Sequence, residues 1–167
     1  VIRIAYVTPR DTREIQVFVT SWLNTNLTDP YEEATSKTRS NFVVDDDFMF
    51  GGTMPKIHFD INKFNPSKIA TQGKTDYLEE EAHEFIIYYY NERDRRYLFA
   101  DNSLTLSNEA QAMKYLQYVR DTLKTNMASF NDYFHKHVFG SISKPKFNPS
   151  TKTFIAMMPF TVFTFRR

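Results

Sequence analysis

Apolar and polar positions along this chain follow two periods, and the switches between them mark out its elements. Ile15, Phe18, Val19, Trp22 and Leu23 recur at the spacing of one face of an α-helix. Asp11 followed by Glu14 reads as an N-terminal capping pair, so the pattern predicts a helix over about Thr12 to Asn26. A second helical stripe, Met113, Leu116, Val119, Leu123, Met127 and Phe130, follows Ser107 as its cap and runs to about Phe130 or Phe134. Between the helices the period falls to two. Ile57, Phe59 and Ile61 alternate with His58, Asp60 and Asn62, a strand with one wet face that Asn65-Pro66-Ser67 is expected to end. Val1 to Thr8 reads as an extended arm stopped by Pro9, Asn24 to Asn41 as a long polar loop, and Ile69 to Ala82 as a polar connection.

Two stretches are apolar on both faces. In the first, Phe85, Ile87 and Tyr89 oppose Ile86, Tyr88 and Tyr90, and a charged link leads to Tyr97-Leu98-Phe99, so a hairpin is expected at about 84–100. In the second, Phe154, Met158, Phe160 and Val162 oppose Ile155, Met157, Phe163 and Phe165. This segment is a strand pair or one long bent strand, and Pro159 places it at an edge or a bulge. Two helices cover about one face of a sheet of about four or five strands. The expected fold is therefore α+β: one domain, a mainly antiparallel sheet, and both helices packed on one side. The other apolar face is left for a second molecule. The candidate contact residues are Tyr88, Tyr90, Arg93, Arg95 and Arg96 in the hairpin. In the terminal segment they are Phe160, Val162, Phe163, Phe165 and Arg166, with the edge of that strand expected to need a partner.

Composition narrows the class. The chain has 167 residues, enough for a real core, and 21 Lys and Arg against 20 Asp and Glu remove any global basic bias towards nucleic acid. Cysteine is absent, which excludes disulfides and thiolate metal sites and suits a reducing interior. No stretch reads as a secretory leader or a membrane helix, and Asn26-Leu27-Thr28 reads as an accidental glycosylation triplet.

Chemistry is offered at several points and declined at each. Gly73-Lys74-Thr75 looks like the end of a phosphate loop but lacks the first glycine, Lys68 standing in its place. Asp45-Asp46-Asp47 alternates across a strand and has no ligand loop at the proper spacing for calcium. His135 and His137 have no third ligand, and no nucleophile or metal-nuclease spacing is found. No cofactor or metal site and no enzymatic activity are expected. Lys63-Phe64-Asn65-Pro66-Ser67 recurs as Lys146-Phe147-Asn148-Pro149-Ser150, which reads as turn chemistry used twice.

One alternative stays open. The aromatic run interleaved with Arg93, Arg95 and Arg96 suits single-stranded nucleic acid as well as protein.

The order of elements resembles the tail-completion and tail-terminator proteins at the neck of tailed viruses. The shared parts are an early amphipathic helix, a long loop, a strand entered through proline (Met54-Pro55-Lys56-Ile57-His58-Phe59), an aromatic hairpin, a helix and a long C-terminal strand. The resemblance spans Asp11 to Arg167 and is one of pattern. It implies a non-enzymatic subunit of a homo-oligomeric ring, often hexameric, made in the host cytoplasm and placed in the virion. Its partners would be the tail tube and the neck or connector proteins, with no membrane. The Val1 to Thr8 arm and the longer Asn24 to Asn41 loop depart from that pattern.

Overall fold

A computed structural model describes residues 11–39, 41–45, 55–72, 77–92 and 108–166. The chain runs α1 (Thr12–Asn26), α2 (Pro30–Thr35), β1 (Val43–Val44), β2 (Lys56–Gln72), β3 (Tyr77–Glu92), α3 (Asn108–Thr125), a 3₁₀ turn (Met127–Phe130), β4 (Lys136–Phe139), β5 (Lys146–Asn148) and β6 (Thr153–Arg166). The fold is α+β. The described strands form one sheet in the order β1-β2-β3-β6-β4, with β5 also on β6, and every pairing but β1 with β2 is antiparallel.

α1 matches its expected span. The Asp11 side chain accepts the Glu14 N–H at 2.7 Å, and Ile15, Val19 and Leu23 lie fully buried against β1 and β2. α3 buries Leu116, Val119 and Leu123 as the stripe required, and also Ala112 and Tyr115. The helix ends at Thr125 and the chain tightens into the 3₁₀ turn that delivers Phe130 to the core. Ser107, the expected cap, lies outside the described residues. α1 and α3 pack on the same side of the sheet, over Ile57, Phe59, Phe85, Ile87, Tyr89, Met158 and Phe160. Aromatic pairs fill this layer: Phe59 stacks on Phe85 at 4.7 Å, Tyr89 on Tyr115 at 5.0 Å and Phe139 on Phe160 at 4.8 Å.

The hairpin is corrected. Its arms are β2 and β3, and the link between them falls at 73–76, so Phe85 to Tyr90 is an interior strand between β2 and β6. Tyr97 to Ala100 and the arginines Arg93, Arg95 and Arg96 lie outside the described residues, as do Val1 to Thr8 and Gly73-Lys74-Thr75. The supposed polar connection from Ile69 to Ala82 is mostly strand. Backbone pairing to β2 and β6 holds it, with Glu79 opposite Arg166 in register and Glu80 opposite Phe165. Asn65-Pro66-Ser67 does not stop β2; the strand absorbs it with a register shift between Asn65 and Lys68. The repeated pentapeptide thus sits inside a strand once and at a strand end and turn the second time, with Phe64 and Phe147 both exposed.

The 24–41 segment is also more ordered than a loop. Asp29 caps α2 by accepting the Tyr31 N–H, and its carboxylate takes two bonds from the Arg39 guanidinium, at 2.6 and 2.7 Å. Arg39 also donates to the Pro55 carbonyl, tying α2 to the start of β2. One ion pair with both side chains largely buried does the work of an apolar stripe.

β6 is the largest correction. It is one strand, and it is interior, paired to β3 on one side and to β4 and β5 on the other. Phe160 to Phe165 therefore presents no open edge. Pro159 survives inside the sheet because its backbone faces the break between β4 and β5, where its carbonyl accepts the Gly140 N–H at 2.8 Å. A proline there forfeits a donor at a position where the ladder is already interrupted.

Candidate assembly surface

Residues directly opposite in an antiparallel pair share a face, so the register fixes the sheet surface turned away from the helices. Crossing from β2 through β3 and β6 to the β4–β5 side, its rows can be read off directly. Lys56, Tyr90, Ile155 and Lys146 form the first. His58, Tyr88 and Met157 follow, then Asp60, Ile86 and Pro159 beside Gly140. Then come Lys63, Glu84, Thr161 and Val138, next Ala82, Phe163 and Lys136, and finally Glu80 and Phe165.

The middle of this face is apolar and half-buried to exposed: Ile86, Met157, Pro159, Thr161 and Phe163, with Val138 at 48%. No described helix or strand lies over it. The corner at Lys56, His58 and Tyr90 is buried, against the expectation of a wet strand face at His58. Burial raises the Tyr90 phenol to about 12, with Tyr88 and the Asp60 carboxylate adding to the effect. Burial and then Asp60 likewise raise Tyr88. Both phenols stay protonated at neutral pH.

The far end is capped by His135 and Lys136. The His135 ring stacks on Phe165 at 3.6 Å while its Nε2 lies 3.0 Å from Glu80 Oε2, and Lys136 Nζ sits 4.7 Å from the Phe163 ring.

The ten sequence-chosen contact residues divide accordingly. Tyr88, Phe163 and Phe165 are together on the open face, half-buried. Tyr90 shares that face but lies in its buried corner. Phe160 and Val162 point the other way and are fully buried under the helices, so their side chains serve this chain's own core. Arg166 ends β6 opposite Glu79. Sequence reasoning missed Val138 and Lys146, because β4 and β5 are too short to show a period.

On the helix side, two sets of buried polar groups tie elements together. His83, buried on the helix side, bonds Thr12 Oγ1 through Nδ1 and Thr164 Oγ1 through Nε2, each at 2.8 Å. It thereby joins α1, β3 and β6. Burial pulls it down to about 4, against a smaller upward pull from Asp11. Asn91 and Gln111 form a buried amide pair between β3 and α3. Among the described residues no three His, Asp or Glu side chains converge as metal ligands would, and no helix is long and apolar enough to cross a membrane.

No family model matches the chain, and no curated protein matches it as a relative.

Proposed function

We propose that this protein is a structural subunit that works by burying its open sheet face against other protein, without catalysing a reaction. The carrying observation is the apolar strip from Ile86 of β3 through Met157 and Pro159 to Phe163 of β6, with Val138 of β4 beside it, at the centre of a four-strand face with no described element over it. Four strands about 4.8 Å apart and about eleven residues long at about 3.3 Å each make a surface of roughly 700 Å². That is close to the roughly 800 Å² that each partner gives to a stable protein interface. A fully solvated sheet face would carry polar residues at Ile86, Met157, Pro159 and Phe163 too, not only at the positions around them.

The element order adds the finer reading. An early helix, a proline-entered strand, an aromatic strand, a helix and a long C-terminal strand resemble the neck proteins of tailed viruses. We assign the chain to that class of virion protein, a homo-oligomeric ring that closes the tail tube and meets the connector.

Native mass spectrometry of the intact chain beside Phe163→Asp tests the reading. The expected result is a multimer for the wild type and a folded monomer for the variant. A wild type that stays monomeric at every concentration, with or without tail-tube protein, overturns it.

A further inference from the structure

The net charge of this chain hides a separation. Residues 133–167 hold six of the 21 Lys and Arg and none of the 20 Asp and Glu, so the first 132 residues carry five more acids than bases. The fold gathers much of that basic segment on one side of the sheet. Lys136, Lys144, Lys146 and Lys152 are all exposed along the β4–β5 side, beside exposed Val138 and Phe147. Lys124 reaches the same place from α3, its Nζ 5.8 Å from the Phe139 ring. Its charge, after burial, helps to depress the His137 imidazole.

The opposite side is built from α1, β1 and β2. There, among the described side chains, Asp11 and Glu14 are exposed and Asp45 and Asp60 partly exposed, against exposed Lys63 and exposed Arg13, which lies 3.4 Å from the Asp45 carboxylate.

Neither side is made for strand addition. The Asn24 side chain supplies β1 with what a neighbouring strand would: Nδ2 donates to the Val43 carbonyl at 2.8 Å, and Oδ1 accepts the Val43 N–H at 3.0 Å. Further along, β2 carries three register shifts and Pro66. On the other side β4 and β5 are separated by a segment in which Ser143 bonds the Met157 backbone twice. Bulges, prolines and lysines are the devices that keep sheet edges from pairing. Contact at these sides must therefore run through side chains.

We infer that the lysine-lined β4–β5 side of one copy docks against the acidic α1–β1–β2 side of the next copy. The inference rests on the assembly reading above and names its electrostatic contact. Opposite charges on opposite sides of one sheet make a heterologous, head-to-tail contact, the kind that closes rings. Complementary charge also fixes register and excludes wrong pairings. A second copy is favoured over a nucleic acid because the chain as a whole is almost neutral, so no overall basic field draws in a polyanion.

The test uses two full-length variants, Lys144→Glu/Lys146→Glu and Asp45→Lys/Asp60→Lys, studied alone and mixed. Each alone should lose at least about tenfold in association, and the mixture should regain it, since both contacts in an alternating ring are then complementary. Wild-type assembly should weaken between about 0.1 M and about 1 M salt, as the screening length falls from about 10 to about 3 Å. An assembly indifferent to salt and to both variants, yet broken by Phe163→Asp, overturns this inference and leaves the assembly reading standing. Lysine variants that lose oligonucleotide binding but assemble normally overturn it in favour of a polyanion site. A chain that never associates removes both.

Discussion

Gly140 donates its N–H to the Pro159 carbonyl at 2.8 Å, and a Cβ on Gly140 would stand 2.8 Å from both the Cβ and the Cγ of Pro159. The pair explains how an interior strand of the sheet contains a proline. The proline has no donor to give, and its neighbour has no side chain to clash with the ring.

Gly140→Ala should therefore destabilise by about 1–3 kcal/mol, the range for overpacking. Ser141→Ala, one residue on and exposed, should stay within about 0.5 kcal/mol. A double-mutant cycle with Pro159→Gly should recover much of the alanine cost. Equal costs in both backgrounds, measured in denaturant melts, would mean that residue 140 and the Pro159 ring are not in contact.

Leu116 and Leu123 sit at zero exposure on α3. Truncating either to alanine should cost about 2–5 kcal/mol, while Val17→Ala on the exposed side of α1 should cost little. Small losses at both leucines would detach α3 from the core.

The long C-terminal and aromatic strands were legible because both carry long runs of apolar and β-branched or aromatic residues, the pattern of interior strands. The helices were legible because one stripe faces one layer. The distal half of the β2–β3 hairpin was not, since Glu79, Glu80 and Glu81 carry no apolar period. They are strand because β6 and β2 supply backbone partners, a cause far away in sequence. α2 was hidden for a similar reason, its anchor being the Asp29–Arg39 pair rather than a stripe. β6 looked like an edge because Pro159 usually marks one, and the compensating glycine lies in another strand. The open face followed from counting covers. Its lysine border did not, because β4 and β5 are a few residues each and the net charge sums to almost nothing.

Arg39→Ala should leave the Asp29 carboxylate buried without its guanidinium. The expected loss is about 3–5 kcal/mol, as for other broken buried ion pairs. A loss under about 1 kcal/mol in the same melts would place this pair in water.

His83 makes stability depend on pH. In the folded chain it stays neutral until about pH 4, whereas an unfolded histidine takes its proton near its ordinary value of 6.5. Between those values the unfolded state binds more protons, so this contribution is complete above pH 6.5 and is lost as pH falls towards 4. His83→Gln should be less stable at pH 7 and should flatten the slope in the upper part of that window, from pH 6.5 to about 5. Identical slopes for the two proteins would show that His83 is solvated.

Met157 and Met158 are neighbours on opposite faces of β6, the first on the open face and the second fully buried under the helices. Peroxide converts exposed methionine to its sulfoxide, so the two side chains report on the two faces within one peptide. The decisive measurement is the Met157 oxidation rate as protein concentration rises through assembly, with Met158 as internal reference. Burial of the open face predicts that Met157 slows towards the Met158 rate in the assembled protein. A Met157 rate that stays constant from dilute to concentrated protein would contradict the account.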